Sequence, residues 1–300
     1  MSALAPIALF VYKRLWHTKQ ILNALIKNKY AENSRLIIFS DGAKNEKDQI
    51  YVSEVRRYLE GLRGFKEIEI IKREKNYGLA ESIIYGVTKV VSQFGKIIVL
   101  EDDLLTSPYF LEYMNEALDI YKDKEKVISI HGYTYPIKEK LPETFFLKGA
   151  DCWGWGTWDR GWKLFENDSR FLYNEIIRRG LENEFNYNGS ANYIYMLKNQ
   201  IEGKIDSWAI RWYASAFLKD KLTLYPGHSL VKNIGMDSSG THTKKTSAFD
   251  VHLSESPVNV KTIPVVEDKN IWELFLKFHL STQSNQIVRF LKKIKNGIKS

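Results

Sequence analysis

The chain has a single cysteine, Cys152, among 300 residues. That excludes an intramolecular disulfide, and nothing asks for an oxidising compartment. No apolar run approaches the ~20 residues that cross a bilayer as a helix. The opening residues, MSALAPIALFVYKR, lack a basic leader region and a clear cleavage site, so they read as a first strand rather than a secretion signal. There is no GxxxxGK[ST] loop and no GxGxxG, which argues against a P-loop nucleotidase and a standard dinucleotide site. Internal repeats and low-complexity tracts are missing too. The cytoplasm is the default expectation.

The net charge is +8, with 44% hydrophobic and 13% aromatic residues and eight tryptophans. A positive balance favours anionic partners such as nucleotide diphosphates or lipid phosphates. Outside the C-terminal tail the positive residues are dispersed and no nucleic-acid motif is recognisable, so no nucleic-acid partner is expected. Aromatic faces suit sugar clefts, but they suit cores equally.

The chain is organised around Lys96 to Pro108, KIIVLEDDLLTSP. Ile97, Ile98, Val99 and Leu100 form a continuous apolar run, the mark of a strand buried on both faces. The run stops on Glu101, Asp102 and Asp103. Ser107 and Pro108 then suit an N-cap and a first helical position. Phe110, Leu111, Met114, Leu118 and Tyr121 follow at helical spacing. A buried strand thus delivers three acids to its carboxyl end, where open α/β sheets bind ligands. Adjacent carboxylates repel, and hard oxygens suit Mg²⁺ or Mn²⁺ shared with substrate phosphates. A solvated acidic turn is the plainer alternative.

Around this stretch, apolar strands alternate with helices. Ile7 to Val11, Leu36 to Phe39 and Glu67 to Ile71 read as strands, each followed by residues at helical spacing. This predicts βαβ units and a mainly parallel sheet. Arg14, Asp41 and the 101–103 triplet then fall on one rim. Arg14 suits a phosphate or is a surface cation. Asp41 suits a base or ribose, or serves the turn before Gly42.

Further on, Val127 to Ile130 reads as a strand ending at His131, which is more simply structural than ligand-facing. Asp151 opens DCWGWGTW, where glycines would let the backbone approach a sugar and Trp153 and Trp155 would supply flat faces. A core-packed aromatic turn is the alternative. Residues 159–200 read as helical. Asp206-Ser207-Trp208 begins another helix, so Asp206 is a cap or a base. Leu222 to Tyr225 reads as a last strand, and the irregular segment after it ends at His242, a metal ligand or a loop residue. In the tail, Ile287, Leu291, Ile294 and Ile298 share one helical face among lysines and arginines, a pattern that suits an anionic membrane surface.

Taken together, these motifs resemble the inverting GT-A-fold glycosyltransferases. The likeness is to N-acetylglucosaminyltransferase I and to bacterial family 2 glycan-assembling enzymes, over roughly residues 5 to 245. Its most specific part is Glu101-Asp102-Asp103-Leu104 with Ser107-Pro108-Tyr109-Phe110-Leu111-Glu112-Tyr113. The resemblance implies that Asp103 binds a Mn²⁺ or Mg²⁺, with His242 on a loop that closes over the donor. It implies that Glu101 and Asp102 contact the donor sugar and ribose, Asp41 the uracil and Arg14 the phosphates. Tyr12 and Trp155 complete the expected donor set. The relatives carry two adjacent acids before the tryptophan, the second being the base. Here Ser207 stands at that second position. Asp206 is therefore the first candidate for the base and Asp151 the second.

The expected architecture is an α/β, GT-A (Rossmann-like) sheet flanked by helices. Residues 1–262 would form the transferase domain, with a nucleotide-binding half at 1–125 and an acceptor-binding half at 126–262. Residues 263–300 would form a basic amphipathic tail. The expected partners are a nucleotide-sugar donor, a glycan or lipid-linked acceptor and the inner face of the cell membrane. A sugar nucleotidyltransferase is a rival, yet residues 8–20 contain none of the glycines that its N-terminal loop would need. A non-catalytic sugar-binding protein would leave the acidic triplet unexplained.

Overall fold

The computed structural model describes residues 3–237 and 246–282. Its strands are β1 Ile7–Val11, β2 Arg35–Ser40, β3 Glu67–Lys72, β4 Lys96–Glu101, β5 Leu104–Thr106, β6 Val127–His131, β7 Thr144–Lys148, β8 Trp155–Trp158, β9 Leu222–Pro226 and β10 Val231–Asn233. Its helices are α1 Leu15–Leu25, α2 Glu46–Glu60, α3 Leu79–Phe94, α4 Phe110–Ile120, α5 Asp159–Trp162, α6 Ser169–Arg178, α7 Glu182–Phe185, α8 Tyr193–Ile201, α9 Trp208–Leu218 and α10, 269–282.

Eight strands form one sheet in the order β3-β2-β1-β4-β8-β6-β9-β7. The first four are parallel, and β6 and β9 run the same way, while β8 and β7 are reversed. The expected mainly parallel α/β architecture is therefore the observed one. Its logic is local. β1 and the 97–100 stretch of β4 are buried throughout, because helices cover both faces. On one face Leu9, Ile38, Ile98 and Leu100 meet α1 and α4. On the other Ala8, Ile37, Ile97 and Val99 meet α3 and α9. Strand alternation sends neighbouring residues to opposite layers, so both layers read as one apolar run.

Two local expectations are corrected. Ser107 does not cap α4, which starts later, at Phe110, with Tyr109 at the cap position. Instead the Ser107 hydroxyl donates to the Ser254 carbonyl at 2.7 Å and ties down the segment after β10. Trp155 does not face a ligand. It is 0% exposed in β8, among Trp162, Trp208 and Trp212. Pairing of β8 with both β4 and β6 carries this part of the aromatic motif into the middle of the sheet.

The start of the expected tail packs onto the domain. Ile271 and Phe275 of α10 are buried against Phe145, Leu147 and Tyr225. The basic stretch 287–299 and His242 lie outside the described residues. Among the described residues, no helix is long and apolar enough to cross a membrane.

Candidate active site

Parallel topology brings the carboxyl ends of β1, β2 and β4 to one rim. The start of β8 joins them there, because that strand is reversed. Arg14 follows β1 and reaches the acids that follow β4. Its Nη2 donates to Asp103 at 2.8 Å and also to Asp102 Oδ1. Its Nη1 is buried and has no hydrogen-bond partner among the described residues.

Three carboxylates and one guanidinium leave an excess of negative charge. Burial, then the Asp103 and Asp102 charges, push Glu101 up to about 8. Asp102 is raised as well, burial outweighing the pull of Arg14. Repulsion and desolvation of this kind are what a hard cation relieves. Gly235, just after β10, makes room beside Asp103: a Cβ there would sit 2.1 Å from Asp103 Oδ2. The 234 backbone N–H donates to the Asp103 carbonyl at 2.8 Å and fixes that neighbour. Among the described residues no three His, Cys, Asp or Glu side chains converge as a ligand set. Mg²⁺ and Mn²⁺ sites commonly use one or two carboxylates with substrate phosphates, and the residues present fit that pattern.

Asp41 is on the rim, but its oxygens are engaged. They accept from the N–H groups of Gly42, Tyr77 and Gly78 and from Asn76 Nδ2, at 2.9–3.0 Å. A carboxylate offers about four lone-pair positions, so this one organises the 76–78 turn and has none left for a base. Tyr12 is similarly occupied. Its hydroxyl donates to Asp48 at 2.9 Å and accepts from the Lys44 N–H at 2.9 Å, and burial raises it to about 12.

Asp151 and its tryptophan motif lie toward the other half of the rim, whereas the Asp206 carboxylate lies near Gly78. Gly154 has a φ of +67°, a conformation that L side chains rarely adopt. It separates Trp153, which is half-buried against Tyr133, from the core residue Trp155. Asp151 lines a cavity of about 470 Å³ together with several tyrosines. Behind it His131 is buried, and its Nε2 accepts from the Trp153 N–H at 3.1 Å, a structural role. Asp206 stands before α9 with its side chain 57% exposed, 3.4 Å from Arg211. Ser207 is the cap of α9, its hydroxyl accepting from the Ile210 N–H.

Several residues near the rim and the cavity were not singled out in the sequence. His17 of α1 is buried, 3.3 Å from Asp237. Arg73, just after β3, lies over Tyr77 at 4.1 Å and Tyr85 at 4.7 Å. Its three guanidinium nitrogens are buried without hydrogen-bond partners among the described residues. His279 reaches the tyrosine cavity from α10. For Arg73 the signal available was its place just past a strand, as Arg14 lies three residues past β1.

The family model described as glycosyl transferase family 2 matches residues 9–172, more than half of the chain. No curated protein matches the chain in sequence. Among solved structures it is similar to residues 1–349 of TarS from S. aureus, at 12% identity and a TM-score of 0.40. That match covers 75% of this chain and 59% of the TarS fragment. It is also similar to the mannosyltransferase PcManGT from Pyrobaculum calidifontis, solved with GDP-Man and Mn²⁺, at 8% identity and a TM-score of 0.38, covering 73% of this chain and 70% of that one. With a parallel sheet that gathers its acids on one rim, and with this match, the chain belongs to glycosyl transferase family 2 and has a GT-A fold.

Proposed function

We propose that the chain is a metal-dependent, inverting enzyme that moves a hexose from a nucleotide diphosphate donor, a UDP-sugar such as UDP-N-acetylglucosamine, to a hydroxyl of a glycan or lipid-linked glycan in surface polysaccharide assembly. The observation that carries this reading is the Glu101–Asp103 triplet at the end of β4, facing a single guanidinium whose Nη1 is unpartnered.

In this reading Arg14 Nη1 donates to the donor diphosphate, and the Arg73 guanidinium serves the nucleotide side of the same rim. Asp41 acts indirectly, by holding the 76–78 turn. Glu101, raised by burial and by two neighbouring acids, hydrogen-bonds a hydroxyl of the donor sugar. Asp103 would hold a Mn²⁺ or Mg²⁺, which when bound neutralises charge on the departing diphosphate.

The chemical step is one displacement. The acceptor oxygen bonds to the anomeric carbon as the bond to the diphosphate breaks, and the acceptor proton passes to a carboxylate. Asp206 is the base in this proposal, because it stands just before α9 with its side chain 57% exposed. Asp151, 29% exposed in the cavity lining, orients the acceptor. Single displacement inverts the configuration.

The test is calorimetric titration of UDP into the protein with and without Mn²⁺, repeated on Asp103→Ala. Mn²⁺-dependent binding that the variant loses supports the donor site. No binding in either condition sinks the uridine assignment, and equal binding in the variant sinks the role of Asp103.

A further inference from the structure

The tyrosine-lined cavity is walled on one side by α10, which lies outside the residues matched by the family model. Its volume of about 470 Å³ is within the range of small-ligand sites, roughly 300–1,000 Å³. Tyr225 comes from β9, Tyr133 from the segment after β6, Tyr193 and Tyr213 from α8 and α9, and Trp153 from the segment before β8. Among the described lining residues there is no lysine or arginine, and the one carboxylate is Asp151. Such a lining repels anions, so a phosphate or diphosphate does not belong there. Flat apolar faces with a few polar groups suit a neutral polyol ring.

His279 is the second polar anchor. It is only 8% exposed. The rings of Tyr135 and Tyr187 hold it, each with its centroid 5.2 Å away. Its Nε2 is buried and has no hydrogen-bond partner among the described residues. Burial lowers it to about 4, so the imidazole is neutral and presents one donor and one acceptor. Buried polar atoms are normally satisfied, so an orphan on a residue that lines a cavity calls for a partner.

We propose that this cavity takes the sugar ring of the acceptor, and that His279 is a specificity-determining residue whose Nε2 hydrogen-bonds an acceptor hydroxyl, with Asp151 accepting from another. The proposal rests on the transferase reading above, and it assigns acceptor choice to the C-terminal helix rather than to the family domain.

The test uses the full chain and a panel of methyl glycosides of glucose, galactose, mannose and N-acetylglucosamine, with binding read by saturation-transfer NMR. The expected result is that at least one glycoside binds and that His279→Leu weakens it tenfold or more. His279→Gln, which keeps a donor and an acceptor, should restore most of the binding. UDP binding should be the same in all three proteins. Independently of any folding defect in a variant, the imidazole ¹⁵N resonance of wild-type His279 should shift when the glycoside is added. An unmoved resonance, undiminished binding in His279→Leu, or no glycoside binding to the wild type would each overturn the proposal. Glycoside binding that persists where UDP binding fails would overturn the donor reading and leave this site standing.

Discussion

Nη2 of Arg14 lies 2.8 Å from Oδ2 of Asp103 and is the donor that joins the end of β1 to the end of β4. The same nitrogen reaches Asp102, so one cation sets the spacing of two acids. Arg14→Met should free those carboxylates to repel. Charge-assisted hydrogen bonds are worth about 1.5–3 kcal/mol, so UDP affinity should fall at least about tenfold. Calorimetry checks this. Arg14→Lys should recover part of the loss, since it restores the charge but not the planar fork.

Gly235 is predicted to be intolerant of any side chain. The Cβ of Gly235→Ala would meet Asp103 Oδ2 at 2.1 Å and Cγ at 2.8 Å. Overpacking of this kind costs about 1–3 kcal/mol. Because the collision is with Asp103, it should appear as weakened Mn²⁺-dependent UDP binding, together with a melting temperature lowered by a few degrees.

The two candidate acids separate kinetically. A general base typically contributes about 10²–10⁴-fold. Asp206→Asn should therefore lower kcat on that scale with donor affinity unchanged. Asp151→Asn should instead raise the acceptor KM. Wild-type turnover in Asp206→Asn would rule out its assignment as base.

Trp153 and Trp155 should behave as opposites, although one glycine separates them. Trp155 is fully buried among three other tryptophans, and Trp155→Ala should cost about 3–5 kcal/mol in urea unfolding. Trp153 lines the cavity, so Trp153→Ala should cost less stability and impair acceptor use.

His279 also predicts an acid limit. Its value is about 4 in the fold against 6.5 for the free side chain. Between those values the unfolded chain binds more protons, so stability rises with pH across this window and is lost as pH falls from about 6.5 to 4. The full shift corresponds to about 3 kcal/mol. Glu101, raised to about 8, works the other way above pH 4.5. The measurement is thus the difference between wild type and His279→Leu in denaturant unfolding across pH 4–7. That difference should grow with pH and flatten above 6.5.

The parallel half of the sheet was legible in the sequence. β1, β2, β4 and α3 are readable because hydrophobic periodicity is a local property, and parallel connectivity then forces their carboxyl ends onto one rim. Arg14 and the 101–103 acids were legible for that reason. Only the tertiary structure decided matters that depend on contacts between distant segments. Whether Trp155 faces sugar or core depends on β8 lying between β4 and β6, and a short strand with a glycine inside it carries little periodic signal. Asp41 was placed correctly, but the donors that saturate it come from the 76–78 turn. Gly235 beside Asp103, and His279 over the tyrosine cavity, join the acids and Asp151 to residues far along the chain. Sequence spacing does not encode such meetings, because they are fixed by how the layers pack.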